Sequence, residues 1–458
     1  MRSTPWTASD GNPAASVAVR RVLASESGLF FAVAGLVLLT RVPFVDAGYG
    51  AIRDAWRVAS SARLIATTHE YWASRFPPHP VQEIASASIW WSGPVGLNLA
   101  TAVLSSLGIA FFAISARRLG YRDWALATAA LAFTPQIYIA SISTIDYLWA
   151  LSFIFASLYF ALRSRPLVAG VLLGVAIGSR ITSAAMLLPL ALIVMRKGDR
   201  DSRFRRVVIL GFTAFAVGAV LFIPALRRYG WDVFTFADIA ERKPYEILRR
   251  GTLEVWGAVG TLAISAALTY EIVRRVQSWK SPRPSFFAYV WFLAVVLYAV
   301  LFLRLPHLAA YLIPAVPFVL LLLHELLGRR AFALVCAALV VSSFIGIGRS
   351  GPVRGAIFDD REKRIELMQA AQRYVAIGNA LPGQNVIVAG HWLSPVYVYV
   401  LEHPDDSTRY LYLLTAVEAE RYQRLGTHVY YLPGQRELNL RRNDVDLRRF
   451  GARPLLTK

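Results

Sequence analysis

The chain has 458 residues, of which 56% are hydrophobic and 17% charged, against about 25% charged in globular chains, so a string of soluble domains is excluded together with collagen-like and disordered classes. The formal charge of +20 invites a nucleic-acid partner, but the Lys and Arg are scattered among loops between apolar runs and never gather on one aromatic-interleaved face. No nucleic acid is expected, and the single cysteine, Cys336, lies in an apolar run and excludes an intramolecular disulfide.

Met1 to Arg20 lacks a compact apolar core and a small-residue cleavage site, so the first apolar run, Gly28 to Leu39, reads as a retained span behind a cytoplasmic tail over 1–23. A span needs about 20 apolar residues. Candidates fall near 24–44, 95–116, 123–141, 144–163, 166–180, 181–196, 206–226, 252–274, 285–304, 308–327 and 330–348. Alternate loops are short and basic: Arg20-Arg21, Arg117-Arg118, Arg163 with Arg165, Arg196 to Arg206, Arg274-Arg275 and Arg329-Arg330. Such loops mark the cytoplasmic side, so eleven crossings put the C-terminus outside. Arg180 interrupts the apolar stretch 166–196, and charge parity favours two short crossings meeting there at an outer turn.

Two outer segments exceed what a turn requires. In the first, 46–93, Val58, Ala62, Ile65, His69 and Trp72 recur at helical spacing and predict an amphipathic helix lying in the outer interface, stopped at Phe76-Pro77-Pro78-His79-Pro80. The second, Arg227 to Arg250, carries Arg227-Arg228, Arg242-Lys243 and Arg249-Arg250, cations suited to an anionic headgroup or phosphate. Past Gly348 the composition becomes that of a soluble domain. Helices over Asp359–Leu381 and Glu418–Leu425, strands at Asn385–Ala389, Tyr410–Leu414 and His428–Leu432, and a helix or strand over Pro395–Leu401 describe a small α/β unit with a parallel sheet. The expected fold is an all-α polytopic membrane domain over 24–348 of about eleven helices, with an extracytoplasmic α/β domain over 349–458. No fixed-period repeat supports a two-halved transporter.

Chemistry concentrates on the outer side. Asp54 opens the amphipathic helix and Asp146 starts the fourth span, where a carboxylate can accept a proton or hold a divalent cation such as Mg or Mn. The plainer reading of each is a helix N-cap. Arg180, Arg304 and His307 present cations at later turns, suited to phosphate, or else snorkel to the interface. His69-Glu70 and His79 with Glu83 line the first outer segment; packing or acceptor contact suits them better than metal ligation, because no second His follows at the metalloprotease spacing. Gly390-His391-Trp392 follows the strand NVIVA, where parallel sheets place ligands, or is an ordinary turn.

Several stretches together resemble a known group: Arg53-Asp54 after the first span, SRFPPHPVQE (Ser74 to Glu83), Asp146, GVLLGVAIGSRITSAAMLLPLAL (Gly170 to Leu192) and HLAAYLIPAVPF (His307 to Phe318). They are similar to the GT-C superfamily of polytopic glycosyltransferases, relatives of protein O-mannosyltransferases and the lipid A aminoarabinose transferase, over residues 28–348. Ala55 and Ala310 depart from acidic and arginine residues common there. The resemblance implies inverting transfer of a sugar from a polyprenyl-phosphate donor to a glycan, lipid or protein acceptor at a bacterial or archaeal cell membrane. Asp54 would be the base, Asp146 would orient acceptor or metal, Arg180, Arg304 and His307 would hold the phosphate, and His69, Glu70, His79 and Glu83 would line the loop. A transporter would more often carry charged or broken midplane helices, and a non-catalytic scaffold would leave both aspartates without a role.

Overall fold

The computed structural model describes residues 25–196, 199–235, 243–278, 284–348, 351–402 and 405–456. The tail over 1–23 with Arg20-Arg21, together with Arg242, lies outside the described residues. The first helices are α1 (Glu26–Arg41), α2 (Arg53–Thr68), α3 (Pro80–Ala87), α4 (Gly93–Arg118), α5 (Trp124–Phe133), α6 (Pro135–Ser141), α7 (Tyr147–Leu162) and α8 (Pro166–Ser179). A 3-10 turn, Ile181–Met186, leads into α9 (Leu187–Val194), α10 (Arg200–Tyr229), α11 (Pro244–Gly251), α12 (Leu253–Ser278, broken at Gly257) and α13 (Phe286–Arg304). A second 3-10 turn, Ala309–Ala315, precedes α14 (Val316–Leu326) and α15 (Arg329–Phe344).

Each of the eleven apolar stretches contains helix, though several are broken or short and the last, 330–348, gives way to a strand at Ile345. Six of the described helical segments are long and apolar enough to cross a membrane: 26–44, 90–118, 200–234, 253–277, 286–304 and 309–326. Proline opens α3, α6, α8 and α11, where its missing N–H is harmless and its φ suits a first turn. The tightest helix pair is α8 against α10. Gly170, Gly174 and Gly178 form a seam on α8, and a Cβ added at Gly174 would meet the Val217 Cβ at 2.6 Å and the Ala214 carbonyl at 2.9 Å. Small residues one helical turn apart let two backbones approach this closely.

The segment 46–93 departs from the expected interfacial helix. α2 ends at Thr68, closed by the His69 N–H donating to the Ile65 carbonyl at 3.0 Å with His69 in the left-handed conformation (φ 58°). His69 and Trp72 therefore leave the stripe, and the helix stops well before the prolines. Its apolar face is covered by protein: Ala55, Trp56, Val58 and Ala62 are fully buried. They pack against α3 and α17 (Leu393–Glu402) of the C-terminal unit. Periodicity reports that a face is buried but not by what, and here the cover comes from more than 300 residues downstream. The second segment also departs, since Arg227 and Arg228 belong to the last turn of α10 and Arg249 and Arg250 to α11.

A hairpin, β1 (Ile345–Gly348) with β2 (Gly351–Arg354), joins the bundle to the C-terminal unit. There α16 (Ala356–Asn379), β3 (Asn385–Val388), α17, β4 (Thr408–Leu411), α18 (Ala416–Arg424), β5 (His428–Tyr431), α19 (Gln435–Asn443) and β6 (Arg453–Pro454) follow. All pairings in this sheet are parallel, in the order β4-β3-β5-β6. Ile387 faces one apolar cluster with Ala371, Tyr374 and Val396; Val388 faces the other with Val429, Ala419 and Leu447. The continuous apolar strand NVIV is thus explained by cover on both faces.

Arg364 of α16 carries the strongest tie to the bundle. Fully buried, it donates to the Gly48 carbonyl at 2.6 Å and the Ile142 carbonyl at 2.8 Å, with Asp360 at 3.6 Å. Burial pushes the Asp360 carboxyl up to about 6 against the opposing pull of Arg364. Its folded value exceeds its unfolded value, so the folded protein holds this proton more tightly. This group's contribution to stability should therefore be most favourable below about pH 4 and be lost as pH rises through about 6, by on the order of 2–3 kcal/mol. Asp360→Asn should flatten that slope in melting curves taken at pH 4.5 and 7.5; an unchanged slope would assign the proton elsewhere.

Candidate active site

Asp146 is the N-cap residue of α7, yet its side chain caps no helix N–H. Its wholly buried carboxylate is instead enclosed by two cations and an imidazole from two other elements. Arg75 donates to Oδ1, Arg180 Nη1 donates to Oδ2 at 2.5 Å, and His79 Nδ1 lies 3.5 Å from Oδ2. A buried charge persists when it is paired and hydrogen-bonded in this way.

Arg75 is shared. Its Nε lies 3.5 Å from Asp54 Oδ2, while Arg57 approaches Asp54 Oδ1 at 3.6 Å. The two expected carboxylates thus form one unit bridged by an arginine that the sequence reading passed over. A third guanidinium nitrogen, Arg75 Nη1, is buried without a hydrogen-bond partner among the described residues. The carboxylates also differ in kind. Asp54 sits in the first turn of α2 with its side chain 19% exposed and ion pairs longer than hydrogen bonds, so it keeps free lone pairs. Asp146 keeps none facing solvent.

Local structure explains how loop residues reach this point. Glu83 on α3 is fully buried and accepts from the Tyr71 hydroxyl, from Ser74 N and Oγ at 2.8 and 2.6 Å, and from His79 N at 3.2 Å. Burial raises its pKa despite these donors. It braces the loop that carries Arg75 and has no lone pair left for an acceptor. His79 donates from Nδ1 to the Ser179 carbonyl at 3.0 Å; burial pushes it down to about 3 against the opposing pull of Asp146, and keeps it neutral. Asn98 on α4 donates to the Val45 and Gly48 carbonyls and accepts from Thr144, stitching the chain before Asp54 to the turn before Asp146.

Arg180 leaves α8 in an extended conformation, which turns it back over two rings, Tyr147 at 4.1 Å and Tyr311 at 4.9 Å. Stacking holds the planar guanidinium as it pairs with Asp146. Other expected residues lie apart from this cluster. His69 is an exposed cap, and exposed Glu70 pairs with Arg228 at 2.5 Å, whose guanidinium covers Trp72 at 3.8 Å. Arg304 is exposed at the end of α13 and makes no hydrogen bond or ion pair among the described residues. His307 lies in the following turn, beside the Pro306 carbonyl that accepts from Arg250 at 2.5 Å.

The cluster does not fit a divalent metal. Among the described residues no three His, Cys, Asp or Glu side chains gather as ligands, and the guanidinium of Arg75 already occupies the space between Asp54 and Asp146. On the far side of Asp54, Arg53 Nη1 lies 3.0 Å from His391 Nδ1, so the turn after β3 reaches the start of α2. Gly390 permits that turn: its φ is +51°, and a Cβ there would collide with Gln435, whose Oε1 accepts from His391 N at 3.2 Å.

No protein-family model matches the chain, and no curated protein matches its sequence. Among solved structures it is similar to ArnT from Cupriavidus metallidurans bound to undecaprenyl phosphate, with a TM-score of 0.55 and 15% identity, covering 87% of each chain. The apo state of that protein gives a TM-score of 0.53 and 14% identity, covering 90% of this chain and 89% of that one. At such identities the likeness is one of fold alone: the chain shares the fold of ArnT, and six of its described helical segments are long and apolar enough to cross a membrane.

Proposed function

We propose that the chain transfers a sugar from a polyprenyl-phosphate donor to an acceptor on the extracytoplasmic side, with inversion. The observation that carries this reading is the Asp54–Arg75–Asp146–Arg180 chain, in which one carboxylate is open, the other is locked, and the bridging arginine keeps an unpartnered donor. That division suits displacement at an anomeric carbon. Asp54 accepts the proton of an acceptor hydroxyl, whose oxygen attacks the carbon from the face opposite the phosphate. The carbon–oxygen bond to the phosphate breaks, the lipid phosphate leaves with the electron pair, and a single displacement inverts the centre. A lipid phosphate leaves without a proton if cations face it; Arg75 Nη1 and Arg180 supply them from within the cluster, and Arg304 and His307 are assigned to contact the same lipid's phosphate from the turns outside it. Asp146 is a positioning residue that holds both arginines. ArnT, similar in fold, was crystallised with undecaprenyl phosphate, which supports a donor of that class. The N-terminus is then cytoplasmic and the unit after Gly348 extracytoplasmic, where its turn at His391 faces the acceptor. A glycan, a lipid or a protein would fit there.

Purified protein given polyprenyl-phosphate sugars and candidate acceptors should release polyprenyl phosphate. If it neither binds polyprenyl phosphate nor releases it from any glycosylated form, the reading falls.

A further inference from the structure

Two buried tyrosine hydroxyls are left without partners among the described residues. Tyr147 Oη and Tyr298 Oη are buried and hydrogen-bonded to nothing among the described residues, and each residue is only 1% exposed. Interior tyrosine hydroxyls ordinarily find a partner, and one that does not carries its full desolvation penalty. Phenylalanine would fill the same space without that penalty, and α13, which carries Tyr298, already uses it repeatedly in FFAYVWFLAVVLYAVLFLR.

Both hydroxyls belong to one neighbourhood. The Arg180 guanidinium lies over the Tyr147 ring at 4.1 Å. α13 packs against the 3-10 turn that follows Arg180 and against the turn that carries Tyr311. Two unsatisfied O–H donors, one beside Arg180 and one on the helix that packs against the turn following it, call for an oxygen acceptor carrying negative charge. Both Asp146 oxygens are already taken by Arg75 and Arg180.

We propose that Tyr147 and Tyr298 donate hydrogen bonds to oxygens of the donor lipid's phosphate, seated beside Arg180. This rests on the lipid-phosphate reading above and adds two residues to it. The hydroxyls weaken the free protein and act only when lipid is bound, so stability and affinity change in opposite directions on their removal.

The test uses full-length protein in detergent with undecaprenyl phosphate as the probe. Tyr147→Phe and Tyr298→Phe should melt at or above the wild-type temperature without lipid. Each should bind undecaprenyl phosphate about ten- to a hundredfold more weakly, the range of a hydrogen bond to a charged group, and the lipid-induced rise in Tm should shrink accordingly. Wild-type affinity in both variants overturns the inference while leaving the donor reading intact. Variants that melt well below wild type assign the hydroxyls to a structural water network and also overturn it. A wild-type protein that binds no undecaprenyl phosphate overturns the donor reading, and this inference with it.

Discussion

Asp54→Asn is expected to lower turnover by about two to four decades, the usual weight of a positioned general base, while donor binding changes little. Asparagine keeps the size and the acceptor oxygen of Asp54, so the contacts to Arg57 and Arg75 persist in weakened form and the α2 N-terminus stays in place. What is lost is the capacity to take a proton. Arg304→Ala should show the converse, because Arg304 is exposed and makes no hydrogen bond or ion pair among the described residues, so its removal should leave the fold in place. Donor affinity should fall by about tenfold or more with unchanged melting. A monodisperse Asp54→Asn protein with wild-type turnover would remove Asp54 from the chemistry. Its replacement would have to be sought outside the cluster, since Glu83 is saturated and Glu70 is paired on the surface.

Asp146→Asn should destabilise the protein by about 3–5 kcal/mol, the range for breaking a buried ion pair by removing one partner. Two guanidiniums, from Arg75 and Arg180, would be left facing each other across a neutral amide whose NH2 cannot accept from either. Activity should vanish with the fold intact at low temperature, because the cations lose their aim. A double-mutant cycle with Arg180→Gln separates the pair from its surroundings: the double variant should be less destabilised than the sum of the singles. Additive losses would mean that the 2.5 Å contact contributes nothing to stability.

Asp146 and Arg180 stand out in the sequence because each interrupts an apolar pattern at a span boundary, where a charge needs a reason, and Asp54 because it opens an amphipathic helix. Arg75 carried no such mark. It is one of 49 cations, and its role depends on a loop folded around Glu83, a contact between residues nine positions apart that no periodicity encodes. The one available signal was its place directly before Phe-Pro-Pro-His-Pro, a segment too rigid to be a mere connector. Glu83 itself read as a lining residue because sequence spacing cannot show how many donors surround a carboxylate. The parallel sheet was visible in NVIV and HVYYL, whereas α19 and β6 were missed: QRELNLRRN has scarcely any apolar stripe, and a two-residue strand has no period to detect. The stripe of α2 reads from sequence as an interfacial face, whereas protein covers it, and the α16–α17 surface that does so lies too far along the chain for local pattern to reveal.

The glycine seam between α8 and α10 gives a remote apolar contact leverage over a polar site. Arg180 is the first residue beyond α8, and its guanidinium must meet Asp146 and two tyrosine rings at once. The helix therefore behaves as a rigid arm whose bearing is the seam at Gly170, Gly174 and Gly178. A side chain added at Gly174 would pry the arm from α10 by the width of a methyl group or more, and the displacement would arrive undiminished at its tip. In this molecule the aim of a cation is machined into a stretch with no charge, and a lesion there would mimic loss of the arginine itself.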